Sequence, residues 1–307
     1  MDNSPLQLIG ARDLMVATLP ERKMLIDPLF TTKTLALLYG PRGLGKTFVA
    51  MGIAWAAASG GSFLDWRASR PLRVAYLDGE MAASEMRDRL ALFGPVPERL
   101  AFMLADLGTE RAIPDLGTLR GQTDLLALLP HHQPDLLVID NLASLVGFRT
   151  KDPDPWRTVQ RFLMILRRLQ IAVLIVHHAN KQGRQRGTSR REDIVDLVMA
   201  IRRPADYRPS EGARFELHFE KTRQLYGAAI DPIEARLAIG YDGLAQWTWT
   251  KAEEHEVDRV AALLRRGLNP NQIAAELGIS KSKAYRLREQ MANPPARSED
   301  GATRSPF

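Results

Sequence analysis

Residues Gly40 to Thr47 read GPRGLGKT, two glycines followed by Lys and Thr at the spacing of a phosphate cradle. In such a loop Gly43 and Gly45 free the backbone to turn its N–H groups toward an anion. Lys46 reaches the outer phosphates, and the Thr47 hydroxyl is offered to Mg²⁺. The residues of contact run Gly40, Pro41, Arg42, Gly43, Leu44, Gly45, Lys46, Thr47 and Phe48. Three other places carry reactive groups at the ends of apolar runs: Asp78-Gly79-Glu80, Asp140 and His177-His178. Asp140 is suited to hold Mg²⁺ through its waters. Glu80 can accept a proton from an attacking water, or it can be an acidic residue favoured at a helix N-terminus by the macrodipole. His177 is the candidate to sense a terminal phosphate, although adjacent histidines are more often surface or satisfied core residues. No spaced set of ligands joins them into a zinc site. The ligands implied are ATP and Mg²⁺.

These groups need a scaffold, and the sequence supplies one. Thr34 to Tyr39 is short and apolar enough for a buried strand, and Phe48 to Ala58 is Ala-rich and helix-prone. Arg73 to Leu77, Asp135 to Asp140 and Ile171 to Val176 are further strands, with helical stretches at Ala82 to Leu92 and Arg157 to Leu169. Strand–helix–strand alternation implies right-handed crossovers in a mostly parallel α/β sheet, whose strand C-termini gather the ligand site. Asp196 to Ile201 and Arg214 to Glu220 follow as strands, the latter ending in Lys221-Thr222-Arg223 with both cations on one face.

Composition narrows the function classes. The chain has 307 residues, 45% of them hydrophobic, no cysteine, and a formal net charge of +6. Disulfides, thiolate metal sites and cysteine nucleophiles are excluded. No signal peptide and no apolar run near about 18 residues is present, which points to the cytoplasm and away from a membrane. Only about three dozen residues precede the glycine loop, too few for a folded lid or primase-binding module there. The excess positive charge favours an acidic partner. Ala179 to Arg191 concentrates it, with Lys181, Arg184, Arg186, Arg190 and Arg191 and no acid. This is either a solvated loop or a contact to a nucleic-acid backbone, and the nucleic-acid reading is favoured.

Taken together, GPRGLGKT, Glu80, Asp140, the strand ending at His177, RGTS at Arg186 to Ser189 and Lys221-x-Arg223 resemble RecA-type ATPases, especially plasmid RepA-like hexameric helicases. The resemblance spans about Leu25 to Trp249. It implies a RecA-like fold, a homo-oligomer up to a hexamer, and single-stranded DNA threaded through the core. It also implies Glu80 as catalytic base, Lys46 and His177 at the γ-phosphate, and Lys221 with Arg223 as fingers in a neighbouring subunit's site.

Composition changes near residue 251, giving expected units of 1–250 and 251–291 and a tail at 292–307 with little to bury. In the second unit Asn269 caps a helix with Pro270 in its first turn, Gly278-Ile279-Ser280 turns, and Lys281 to Met291 forms the next helix. IAAELGISKSKAYRLRE resembles the helix-turn-helix of resolvases and bacterial regulators. From Arg259 to Met291 there are seven Lys or Arg against two Glu. Ser282, Lys283 and Arg286 are placed to reach duplex DNA, although a protein-docking bundle has the same apolar pattern. The departures from the helicase pattern are the compact chain and this terminal module. They leave an ATP-switched DNA-binding regulator, or a recombination or transposition accessory protein, as the alternative to a helicase of a plasmid, phage or mobile element.

Overall fold

The computed structural model describes residues 8–107, 113–146, 155–179, 193–204 and 206–292. The basic loop with Lys181, Arg184, Arg186 and Arg190, and the tail from 293, lie outside the described residues.

A short helix, α1 (Ala11–Val16), precedes strands β1 (Met24–Asp27) and β2 (Phe30–Thr31). The glycine loop then joins β3 (Leu35–Gly40) to helix α2 (Lys46–Ser59). Strands β4 (Ser62–Phe63), β5 (Trp66–Ala68) and β6 (Val74–Asp78), helix α3 (Ala83–Ala91) and strand β7 (Leu100–Leu104) follow. Helix α4 (Leu119–His132) leads into β8 (Leu136–Asp140), the one-turn helix α5 (Leu142–Leu145), α6 (Pro155–Arg168), β9 (Ala172–His178) and β10 (Leu197–Arg202). An antiparallel meander, β11 (Arg214–Thr222), β12 (Ile233–Ile239) and β13 (Ala245–Lys251), ends this part.

The large sheet has nine strands in the order β13-β12-β11-β10-β3-β9-β8-β6-β7. From β10 to β7 all neighbours are parallel, as the strand–helix alternation predicts. β3 and β8 are buried at every residue because helices cover both faces, which is why they read as unbroken apolar runs. On one face α2 and α3 pack with the small sheet β2-β1-β5-β4, and on the other α4, α5 and α6 do. The short strands of that small sheet, α4 and the β12–β13 hairpin went unread in the sequence. Their apolar runs are brief, and α4 carries a proline. No described helix is long and apolar enough to cross a membrane.

Residue 196, expected within a strand, instead sits just before β10 as a buried anchor. The Asp196 carboxylate accepts the Leu35 N–H at 3.0 Å and the Arg167 guanidinium at 2.5 Å, with Arg223 at 3.5 Å. It thereby ties the first residue of β3 to α6 and to the end of β11.

After β13 the chain runs without a linker into α7 (Ala252–Arg265), followed by α8 (Pro270–Leu277) and α9 (Lys281–Ala292). Asn269 caps α8 in a reciprocal box with Gln272, and Gly278 closes that helix in the left-handed conformation. Val260, Leu263, Ile273, Leu277, Ala284 and Leu287 form a small core of their own. Arg259 on α7 pairs with Asp206 at 2.5 Å and Glu234 at 3.4 Å, and Glu234 in turn holds Arg214 of β11.

Asp196→Ala leaves the nearly buried Arg167 without its carboxylate and should cost about 3 kcal/mol of stability. Asp196→Asn, which keeps an oxygen for Leu35, should cost less. Equilibrium urea unfolding of the two variants reads the difference, and equal midpoints would contradict the anchor.

Candidate nucleotide-binding site

The loop leaves β3 at Gly40, where a Cβ would stand 2.7 Å from the Ile201 carbonyl oxygen, so the strand packs there only without a side chain. Gly43 and Gly45 have φ of 74° and 92°, the left-handed region that the sequence assigned to glycine. Gly45 is the N-cap of α2 and provides no side-chain cap, so the first helical N–H groups face the loop's concavity. Pro41, Arg42 and Gly43 are exposed and Leu44 is buried. Phe48, half-buried, lies under the Arg89 guanidinium at 5.0 Å.

Lys46 is buried and donates to the Pro41 carbonyl at 2.6 Å, which folds the ammonium back over the loop. Burial pulls it down to about 8, although Asp140 and Glu80 work in the other direction. Asp140, at the end of β8, is 4% exposed. Its carboxylate accepts the Tyr76 hydroxyl at 2.7 Å and the Thr47 hydroxyl. Burial pushes this acid up to about 6 despite those bonds, and Asp78 adds to the shift. A buried carboxylate beside the Thr47 hydroxyl, facing a cradle of N–H groups, is the donor set that suits Mg²⁺ with a polyphosphate.

The three carboxylates around β6 and β8 do different work. Asp78 accepts the N–H groups of Glu80 and Met81 at 2.9 and 2.6 Å, which sets the turn that carries Glu80 outward. The Glu80 side chain is half exposed, with Oε2 3.6 Å from His178 Nε2. The two histidines divide between the faces of β9. His178 follows Leu174 and Val176 on the α2 side, with Asp140 and Glu80, whereas His177 follows Val173 and Ile175 on the other side, next to Tyr39. The histidine brought to the site is therefore His178 and not His177, because the side-chain period of two turns neighbours to opposite faces. The sequence showed the pair but not its phase. Tyr76 and Asn141 were also missed, since an apolar strand tyrosine and a post-strand asparagine have no signal before tertiary contacts are known.

Lys221 and Arg223 lie at the far end of the sheet. Thr222 pairs with Leu197, which pairs with Ala36 near the start of β3, while the loop leaves from the end of that strand. Arg223 donates to the Asp193 carbonyl at 2.6 Å. On α9, Ser282 and Arg286 are exposed and Lys283 is half-buried, its N–H bonded to the Ser280 hydroxyl.

Binding ATP with Mg²⁺ should change protonation in opposite senses at two pH values. Near pH 8 Lys46 starts about half charged and the phosphates restore its charge, so protons are taken up. Near pH 6 Asp140 starts about half protonated and a cation beside it expels the proton. Calorimetric titration in buffers of different ionisation heat measures both; release at pH 8 would contradict the Lys46 assignment.

A family model described as an AAA domain matches residues 3–184. No curated protein matches the chain. Among solved structures, a KaiC-like protein from the hyperthermophilic archaeon Pyrococcus horikoshii OT3 is similar in fold, with a TM-score of 0.53 and 18% identity over 72% of this chain and 93% of that one. With more than half of its length matched, the chain belongs to the AAA domain family, as a P-loop ATPase of RecA/KaiC-like fold.

Proposed function

We propose that this ATPase works on DNA as an oligomer, as a RepA-like ring helicase of a plasmid, phage or mobile element. The observation that carries the oligomer is the position of Lys221 and Arg223. They stand at the opposite sheet end from Lys46, so cations there serve a nucleotide only in another copy's site. In the reaction Lys46 and the loop N–H groups would bind the phosphates, and Thr47 and Asp140 would hold Mg²⁺, which would supply positive charge against the terminal phosphates. Glu80 accepts a proton from the water whose oxygen attacks the terminal phosphorus. His178 stands on the same face as Glu80, 3.6 Å from its Oε2. The basic residues Lys181, Arg184, Arg186 and Arg190 grip a nucleic-acid backbone, and α9 reads duplex DNA.

A second reading, an ATP-switched DNA-binding regulator, is favoured by one feature. The α7–α9 unit is joined to the sheet through Arg259 and carries Ser282 and Arg286 on an exposed helix face.

Lys46→Ala, and Lys221→Ala with Arg223→Ala, should each lower ATPase activity by more than about 100-fold. Mixing the two inactive proteins should return part of it, because each supplies what the other lacks. Wild-type turnover per subunit that stays constant down to demonstrated monomer would sink the shared site. Strand displacement on forked DNA then separates helicase from regulator, and DNA-stimulated ATPase separates both from a scaffold that ignores DNA.

The two DNA contacts should be separable. Arg184→Ala with Arg186→Ala should weaken all single strands alike, as loss of backbone charge does. Deleting 251–307 should abolish any preferred duplex site yet leave basal ATPase, with Lys283 or Arg286 worth about 1–3 kcal/mol of discrimination if bidentate to guanine. Selection from random duplexes that recovers the same site with the truncated protein would refute this division.

A further inference from the structure

Asn141 follows Asp140 and is 3% exposed at the N-cap of α5. Its Oδ1 accepts two backbone N–H groups, from Ala143 at 2.9 Å and Ser144 at 3.2 Å. Only a carbonyl oxygen can take that position, so the orientation of the amide is fixed and its NH₂ is what meets His178, 3.1 Å from Nε2. An NH₂ group only donates. His178 Nε2 is then placed to accept, which puts the ring proton on Nδ1, a buried atom with no hydrogen-bond partner among the described residues.

Glu80 approaches the same ring. Its Oε2 stands 3.6 Å from the same Nε2, longer than an ordinary hydrogen bond. Burial and the nearby Lys46 ammonium disfavour the doubly protonated ring and outweigh the opposite pull of Glu80. Were the proton on Nε2, a small rotation would join His178 to Glu80 and occupy the oxygen that must receive a proton from water.

We infer that Asn141 is a positioning residue: by donating to Nε2 it holds His178 in the Nδ1–H tautomer and thereby keeps the Glu80 carboxylate free to accept the proton of the attacking water. The inference rests on the reading of Glu80 as proton acceptor. No part of it requires Asn141 to touch nucleotide or metal.

The tautomer is directly measurable in the nucleotide-free full chain. Long-range ¹H–¹⁵N correlation spectra distinguish Nδ1–H from Nε2–H imidazoles, and a His178→Gln spectrum assigns the resonance. Wild type should show Nδ1–H. Asn141→Ser keeps an oxygen for the α5 N–H groups but cannot reach the ring, and Asn141→Asp keeps the cap while presenting an acceptor; both should shift His178 to Nε2–H. For Asn141→Ser, kcat should fall about tenfold, the effect of one misdirected hydrogen bond, with KM for ATP within about twofold. An Nε2–H tautomer in wild type, or unchanged kcat in Asn141→Ser, overturns the inference. Full turnover in Glu80→Gln would instead overturn the assignment of the base, whatever the tautomer of His178.

Discussion

Burial of Asp140 is the constraint to which the rest of the site answers. An ionised carboxylate that is 4% exposed is costly unless its oxygens are bonded and a positive charge is close. Tyr76 and Thr47 supply hydroxyls and Lys46 supplies charge, yet the acid still lies near 6 and the ammonium near 8. Each group is thus held where its charged form is not fully compensated by protein. A polyphosphate with a divalent cation would bring both missing charges at once.

Strand order makes this convergence possible. β9 lies between β3, which launches the glycine loop, and β8, which ends in Asp140. The end of β9 therefore opens between the two phosphate-site elements, and a residue there can face both. β6 on the far side of β8 brings Tyr76 beneath Asp140 and Glu80 above it, through the turn set by Asp78. Parallel register places all these strand ends at one edge, where α/β sheets gather ligands.

The meander joins this edge to the C-terminal helices. Phe215, at the start of β11, lies against Gly45 of the loop, and its neighbour Arg214 bonds Glu234, Glu211 and Asp206. Arg259 enters the same cluster from α7. Attraction to Glu234 and the other acids outweighs the desolvation of Arg214 and raises its pKa. The three helices follow β13 directly and are tied to the meander through Arg259.

Local rules were enough for much of this chain. The glycine loop, the apolar strands, the Ala-rich helix and the capped α8 each follow from a motif or a period within a few residues. That Asp140 ends a strand was legible for the same reason. What the sequence could not supply was phase and register. Which histidine of the pair faces Glu80 depends on how β9 is rotated between its neighbours, and that is decided by packing on both sheet faces. The roles of Tyr76, Asn141 and Asp196 arise from partners 64, 37 and 161 residues away, and no local pattern specifies such pairings. The remoteness of Lys221 and Arg223 from Lys46 is likewise a property of strand direction, settled only when β11 runs antiparallel to β10.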